Sequence, residues 1–162
     1  MADLMPITDE TLSILKGIPT QTLIDGLWVK GWPSTYVEGA RPLQKGQSMA
    51  GRAGTLRFVP HRPDLFSDKP KGEDSAEYVA IELCGPGEVL VIDALRWQYS
   101  SIGGDIKFLR LMQRKVGGLV TDGGVRDSVV LKNYGVPVFS ASTTAKQGPA
   151  DFWPWQVNDA IQ

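Results

Sequence analysis

The sequence predicts a single α/β domain, and the pattern of its second half carries that prediction. Residues 88–140 alternate short apolar runs with amphipathic stretches, in the order strand, helix, strand, helix, strand. Such alternation is typical of parallel strands joined by helical crossovers. The chain of 162 residues also contains 18 glycines and 11 prolines, which favours many turns over a bundle of long helices.

The individual elements follow from periodicity and from helix start and stop signals. In the first half we expect helices over 8–17 and 19–31, a strand over 50–60, a loop over 61–76 and a helix over 77–83. In the second half we expect strands over 89–92, 119–121 and 136–140, and helices over 105–115 and 126–134. The inner face of the helix over 105–115 would be Ile106, Leu109 and Met112.

The C-terminal stretch contains several large apolar side chains. Phe152, Trp153 and Trp155 lie around Pro154, close to the last residue of the sequence. Aromatic groups of this size need cover from water. They therefore either pack back on the domain, or meet a partner, or meet a segment that this sequence does not contain.

Composition and single residues exclude several kinds of site. The formal net charge of -1 argues against a nucleic-acid-binding protein, which would normally present a basic face. Cys84 and His61 are the only cysteine and histidine, so an internal disulfide and a Cys/His zinc cluster are both excluded. His61 lies in a proline-bounded loop with no nucleophile motif around it, which argues against a Ser-His-Asp triad. No signal-peptide pattern and no membrane-spanning run occur, so we expect a cytoplasmic protein without a membrane partner.

Two glycine-rich turns are the candidates for the functional site. Gly103 and Gly104 precede a helix that begins at Asp105, and glycines let a ligand approach the backbone closely. The amides at this helix start belong to Gly104, Asp105, Ile106 and Lys107. They lack helical acceptors and lie at the positive end of the helix dipole, which suits a carboxylate or a phosphate.

The second turn supplies a cation and an acid. Arg126 has a planar guanidinium, which binds carboxylates through two bonds. Asp127 offers a hard oxygen ligand for Mg²⁺ or Mn²⁺, and Mg²⁺ needs only one or two protein carboxylates. Asp105 would then hold one of the metal's waters from the outer shell.

Other interpretations of these residues stay open on spacing alone. Asp105 and Asp127 could be plain helix caps, and Arg126 could pair with a neighbouring acid. Asp122 either faces the site or bonds local amides as a turn residue. Lys107 either forms an imine with a substrate or is solvated. The turns lack the Gly-x-Gly-x-x-Gly order and no Gly-Lys-Ser/Thr occurs, so they are not nucleotide loops.

Together the two turns resemble a known family. The stretches G-G-D-I at 103–106 and G-L-V-T-D-G-G-V-R-D at 118–127 are similar to those of the RraA-like proteins. This family includes the metal-dependent 4-hydroxy-4-methyl-2-oxoglutarate / 4-carboxy-4-hydroxy-2-oxoadipate aldolases. The likeness extends more loosely from the first helix to Trp155, and residues 58–65 resemble longer members often labelled regulators of ribonuclease activity.

The resemblance implies a fold, an assembly and an activity. The fold would be the swivelling β/β/α type, with residues 1–162 forming one domain that lacks the family's C-terminal strands. The assembly would be a homotrimer or a dimer of trimers, with sites between subunits. The activity would be that of a class II pyruvate aldolase or oxaloacetate decarboxylase, a lyase acting on a small α-keto di- or tricarboxylic acid.

The resemblance also implies a role for each site residue. The amides of residues 104–107 would bind the pyruvate-like end of the substrate. Arg126 would bind the same end and stabilise the enolate, while Asp127 would ligate Mg²⁺ or Mn²⁺ and Asp105 would hold a metal-bound water. Val130 departs from the family, because many members have an acid at that place. The competing function is a non-catalytic regulator that binds an RNA-degrading enzyme; such members tend to lack the acid after the arginine, which is present here.

Overall fold

The computed structural model describes residues 6–161. Its strands in chain order are β1 (Arg41–Pro42), β2 (Ala53–Pro60), β3 (Val89–Asp93), β4 (Gly118–Thr121), β5 (Gly124–Val125), β6 (Val138–Ser140), β7 (Ser142–Thr143) and β8 (Phe152–Val157). Its α-helices are α1 (Asp9–Gly17), α2 (Thr20–Val29), α3 (Pro63–Phe66), α4 (Ala76–Leu83), α5 (Asp105–Gln113) and α6 (Ser128–Leu131). Short 3-10 turns cover Gly72–Asp74, Lys132–Tyr134 and Gly148–Ala150.

A six-stranded sheet lies at the centre, in the order β1-β6-β4-β3-β2-β8. The four inner strands are parallel to one another, and the edge strands β1 and β8 run antiparallel to their neighbours. Helix α5 connects β3 to β4, and α6 connects β4 to β6. The predicted parallel strands with helical crossovers are therefore confirmed. β3 lies inside this sheet, and four of its five residues are buried, as its continuous apolar run predicts.

Helix α5 packs on the sheet through a different face from the predicted one. Phe108 and Leu111 are each 1% exposed and join the core with Leu90. Ile106 is 69% exposed and Leu109 is 37% exposed, so the prediction that these two residues face inward is wrong. The helix carries two apolar stripes, each with a spacing of three residues, and periodicity alone does not choose between them.

The helix predicted over 126–134 begins later and is shorter than expected. Asp127 has a left-handed backbone with φ of 56°, a conformation that cannot continue an α-helix. The single turn α6 follows, and then a 3-10 turn that ends at Gly135 with φ of 71°. Arg126 and Asp127 consequently lie in the turn before the helix.

The remaining predicted elements of the first half are confirmed. Thr8 caps α1, because its hydroxyl oxygen accepts from the Thr11 amide at 3.1 Å. Helices α2 and α4 match the expected ranges to within two residues at each end, and β2 begins at Ala53, three residues later than expected. The predicted loop over 61–76 contains the one-turn helix α3 and a 3-10 turn, which its polar composition did not indicate.

Strand β8 returns the aromatic tail to the domain. It pairs with β2, and Phe152 is 1% exposed. The Phe58 and Phe152 rings lie 4.8 Å apart, and Phe66 stacks on Trp153 with 5.2 Å between centroids. Of the three alternatives for these aromatic residues, packing on the domain is the one that the structure shows.

The two N-terminal helices are the least covered part of the described chain. Neither α1 nor α2 contains a buried residue. Trp28 is 66% exposed, Val29 86% and Trp32 66%. Exposed apolar patches commonly mark protein–protein contacts. Across residues 6–161, no helix is both long and apolar enough to cross a membrane.

Candidate functional site

Two turns meet beside the carboxyl ends of β3 and β4, where open parallel sheets commonly bind ligands. One turn covers residues 100–104 and the other covers 122–127. Backbone bonds join them: the Gly124 amide donates to the Ser100 carbonyl at 3.1 Å, and the Ile102 amide donates to the Gly124 carbonyl at 2.9 Å. The Arg126 amide donates to the Gly103 carbonyl at 3.1 Å. The structure thus brings together the two turns that the sequence singled out.

The Asp127 carboxylate is the side chain that ties these turns. The Asp105 amide donates to Asp127 Oδ2 at 3.1 Å, and Arg126 Nε lies 3.3 Å from the same oxygen. The cap interpretation is therefore correct in part, since Asp127 caps the start of α5 while making no side-chain cap bond to its own helix. Its left-handed backbone, with φ of 56°, is a conformation that aspartate tolerates better than most residues and that often occurs at functional sites.

Gly104 is required by this geometry. An added Cβ would lie 2.1 Å from Asp127 Oδ2 and 2.7 Å from Arg126 Nε. Both distances are shorter than any real contact between non-bonded heavy atoms of this kind. The absent side chain therefore leaves the space that the carboxylate and the guanidinium occupy.

The helix start offers fewer free amides than predicted. Of the four amides, that of Asp105 donates to Asp127, and that of Ile106 donates to Asp105 Oδ1 at 2.8 Å. The amides of Gly104 and Lys107 have no acceptor among the residues that the structure describes. Two amides are thus available to an anion, and two are used to position the acids.

These groups open on a cleft of about 250 Å³. Its lining comprises Tyr78, Ser101, Gly103, Gly104, Asp105, Ile106, Lys107, Arg126, Gln147 and Pro149. Tyr78, Ser101 and Gln147 have no motif around them in the sequence, and only the fold brings them here. Ser101 fixes the glycine turn, because its hydroxyl donates to the Gly103 carbonyl at 2.6 Å and accepts from the Gly103 amide at 3.0 Å.

Lys107 is paired in the structure, so the solvated interpretation of its side chain is wrong. Its Nζ lies 2.6 Å from Glu77 Oε2, and the two side chains are 23% and 20% exposed. The ion pair joins α5 to α4, and it places a half-buried positive charge beside the glycine turn. Glu77 is a functional candidate that the sequence did not reveal, since its partner is 30 positions away.

Asp122 does not join the site. Its two carboxylate oxygens accept from the amides of Ala94 and Arg96, both at 2.6 Å. Asp122 therefore bonds backbone amides, as the turn interpretation expected, but they are those of the turn after β3 and not those of its own turn. These bonds hold a turn in which Leu95 and Arg96 both have positive φ, 60° and 57°. His61 also lies elsewhere, with its ring 5.8 Å from Phe66 in the aromatic cluster.

A polar brace supports one wall of the cleft. Lys146 Nζ lies 2.6 Å from Asp151 Oδ2, and the Ser100 hydroxyl donates to the same carboxylate. The Lys146 ammonium, helped by Ser100, holds the pKa of the Asp151 carboxyl below its usual value. The brace encloses residues 147–150, so it fixes the segment that carries Gln147 and Pro149 into the cleft.

The side-chain oxygens at the two turns match the ligand preferences of Mg²⁺ and Mn²⁺ better than those of zinc. Within residues 6–161, no group of three or more His, Cys, Asp or Glu side chains is placed to hold a metal, so a zinc site of the usual kind does not fit. Asp127 is 37% exposed, and its Oδ1 accepts no bond from the described residues. One such carboxylate fits Mg²⁺ or Mn²⁺, since Mg²⁺ keeps several waters and uses one or two protein carboxylates.

Comparison with known proteins gives matches over most of the chain. Residues 20–162 match the sequence model of the RraA-like family, described as Aldolase/RraA. A protein of Halalkalibacterium halodurans, provisionally named 4-hydroxy-4-methyl-2-oxoglutarate aldolase, is 27% identical over 127 residues. That match covers 78% of this chain and 54% of the relative, so the chain spans about half of the relative's length.

Solved structures share the fold. RraAS2 of Streptomyces coelicolor, described as an unusual member of the RNase ES inhibitor RraA protein family, has a TM-score of 0.80 at 28% identity. The match covers 95% of this chain and 73% of that one. The RNA-processing inhibitor RraA from Thermus thermophilis has a TM-score of 0.58 at 22% identity, over 80% and 70% of the two chains, and supports the fold alone. The predicted α/β fold class is confirmed.

Proposed function

Because the chain belongs to the RraA-like family, we propose that it is a divalent-metal-dependent lyase that cleaves a small α-keto di- or tricarboxylic acid through a pyruvate enolate. The observation that carries this proposal is the convergence of Arg126, Asp127 and the start of α5. Arg126 and the start of α5 line the cleft described above, and Asp127 lines a neighbouring cleft that also contains Arg126. The name of the Halalkalibacterium halodurans relative points the same way.

Each group has a place in this chemistry. The free amides of Gly104 and Lys107 and the guanidinium of Arg126 bind the carboxylate next to the keto group. In oxaloacetate the C3–C4 bond then breaks, CO₂ leaves, and the bond's electron pair forms the enolate with its charge on the C2 oxygen. Arg126 lies beside that oxygen and stabilises the charge that develops there. A divalent cation on Asp127 would supply Lewis acidity at the same oxygen.

Asp105 is suited to the proton steps. Its Oδ1 accepts from the Ile106 amide, which fixes the orientation of the carboxylate at the edge of the cleft. Its Oδ2 is then available to hold a water molecule. That water gives a proton to C3 of the enolate and so completes pyruvate, and the hydroxide left behind takes up a proton from solvent.

Release of pyruvate from oxaloacetate tests the proposal. The purified protein with Mg²⁺ or Mn²⁺ should release pyruvate, and Arg126→Ala or Asp127→Ala should lower kcat/KM by about 100-fold or more. The matched controls are Arg62→Ala and Asp64→Ala, because Arg62 and Asp64 form an exposed pair elsewhere, with Arg62 Nη2 2.6 Å from Asp64 Oδ2. Equal release by wild type, Arg126→Ala and Asp127→Ala would contradict the assignment of the site.

The alternative function is a non-catalytic regulator that binds an RNA-degrading enzyme. The observation in its favour is the 28% identity to RraAS2, whose description names an RNase ES inhibitor family. A protein of this kind releases no pyruvate in the presence of either metal. It instead binds purified RNase ES and slows RNA cleavage, and Asp127→Ala leaves that inhibition intact.

A further inference from the structure

Lys107 has an unused binding capacity next to the proposed catalytic groups. We propose that its ammonium binds the second carboxylate of the substrate, so that the cleft selects α-keto acids with two carboxylates over those with one. This inference rests on the proposed function, since it names the substrate class of the same site. Its first support is that Lys107 lines the same cleft as Arg126.

The ammonium is held in place but is not saturated. Lys107 Nζ lies 2.6 Å from Glu77 Oε2 and 3.4 Å from the Ile102 carbonyl oxygen. An ammonium has three N–H donors, and the third has no oxygen acceptor among the described residues; the centroid of the Tyr78 ring lies 5.9 Å from Nζ. The side chain is 23% exposed, which leaves this donor accessible while the surroundings strengthen its charge interactions.

The double glycine places the two cations over neighbouring residues. An added Cβ on Gly103 would lie 2.9 Å from Lys107 Cδ, and one on Gly104 would lie 2.7 Å from Arg126 Nε. Consecutive Cα atoms are about 3.8 Å apart. The stems of Lys107 and Arg126 therefore pack against adjacent residues of one glycine turn, and both residues line the cleft.

Substitution of Glu77 tests the proposal by the direction in which substrate binding changes. The Glu77 carboxylate already pairs with the ammonium that we propose for the substrate's second carboxylate, so the two anions would compete for one cation. Removal of the Glu77 charge should strengthen substrate binding, whereas removal of the Lys107 charge should weaken it. If the ion pair only docks α5 on α4, both changes would instead lower stability and weaken binding alike.

The experiment compares oxaloacetate, which has two carboxylates, with pyruvate, which has one. Decarboxylation gives KM and kcat for oxaloacetate, and exchange of the pyruvate methyl protons with D₂O, followed by NMR, reports enolate formation without a second carboxylate. Lys107→Met should raise KM for oxaloacetate by about 10- to 100-fold, at least tenfold more than it lowers the rate of pyruvate exchange. Glu77→Gln should lower KM for oxaloacetate.

The kcat for oxaloacetate shows whether Lys107 binds the substrate or only supports the structure of the site. The C4 carboxylate loses its charge as CO₂ leaves, so an ammonium on it stabilises the substrate more than the transition state. Lys107→Met should therefore raise KM without lowering kcat. The matched control is Lys115→Met, which should keep the wild-type KM because Lys115 is an exposed lysine beyond the end of α5 and does not line the cleft.

Failure of the inference and failure of the proposed function would give different results. An equal loss for both compounds in Lys107→Met, or a raised KM in Glu77→Gln, would overturn the inference and leave the proposed function standing. A wild-type protein that neither exchanges pyruvate protons nor decarboxylates oxaloacetate with Mg²⁺ or Mn²⁺ would remove the proposed function, and the inference with it.

Discussion

Gly104 is the position where one added carbon atom tests the site most directly. Its backbone is extended, with φ of -139° and ψ of -157°, so alanine does not meet the strain of a left-handed conformation there. The new Cβ would instead lie 2.1 Å from Asp127 Oδ2. Gly104→Ala should therefore act on the functional side chains more than on the fold.

The size of the effect follows from these distances. A contact of 2.1 Å lies roughly 1.4 Å or more inside the optimal separation of non-bonded atoms, so the Asp127 carboxylate must turn away and release the Asp105 amide. Hydrogen bonds to charged groups contribute about 1.5–3 kcal/mol, but water replaces part of this one because Asp127 is 37% exposed. We expect the free energy of unfolding to fall by about 1 kcal/mol. Displacement of catalytic groups by about 1 Å should lower kcat/KM about 100-fold.

Two measurements separate activity from stability. Steady-state pyruvate release gives kcat/KM, and urea denaturation followed by circular dichroism gives the free energy of unfolding. Gly26→Ala is the matched control, because Gly26 lies in α2 and an added Cβ there meets nothing within 4 Å; it should keep full activity and gain up to about 1 kcal/mol. A Gly104→Ala protein within about threefold of the wild-type kcat/KM would refute the steric reasoning.

Two further predictions concern the core and the uncovered helices. Cys84 is 1% exposed, and burial, with a smaller effect of Glu88, raises the pKa of its thiol from 9.0 to about 11. Because the thiolate is the reactive form, iodoacetamide at pH 8 should modify the native protein more slowly than the unfolded chain, by about 100-fold or more. The pKa of Cys84 is higher in the folded than in the unfolded protein, so the contribution of the protonated thiol to the free energy of unfolding is fully present below pH 9.0 and is lost as the pH rises through about 11. A urea midpoint that falls no more steeply over this pH range than that of Cys84→Ala would contradict this prediction. The resemblance to the RraA-like family implies a homotrimer or a dimer of trimers, so light scattering should give three or six times the chain mass. We expect neighbouring subunits to cover Trp28 and Val29, which are 66% and 86% exposed, so the double substitution of these residues by serine should shift the protein to smaller species. A wild-type monomer at micromolar concentration would argue against that assembly.

The fold was largely predictable from the sequence because its signals are local. The apolar run of β3 and the glycines around the crossovers specify parallel strands without knowledge of their neighbours. The face of α5 was not predictable in this way, since Ile106 and Phe108 begin two apolar stripes of equal spacing, and only the position of the sheet selects Phe108. The short α6 was also missed, because nothing in the sequence indicates the left-handed backbone of Asp127.

The residues of the candidate site were likewise predictable only in part from the sequence. Gly104, Arg126 and Asp127 form recognisable turns, so sequence reasoning found them, and the structure places them together. Glu77 joins Lys107 across α4 and α5, and contacts between distant segments have no local signature. Two of the four predicted amides are engaged by acids, a competition for donors that spacing cannot show.

The hydrogen bond from the Asp105 amide to Asp127 couples the site to folding. Its two residues are 22 positions apart, and α5 and β4 lie between them, so the carboxylate and the helix start meet only after the whole crossover has docked on the sheet. A partly unfolded chain would therefore have neither the anion cradle nor the metal ligand in place. Any ion or acid that binds here draws the equilibrium toward the docked crossover. Amide hydrogens of α5 should then exchange more slowly when the site is filled, and α5 becomes a reporter of ligand binding.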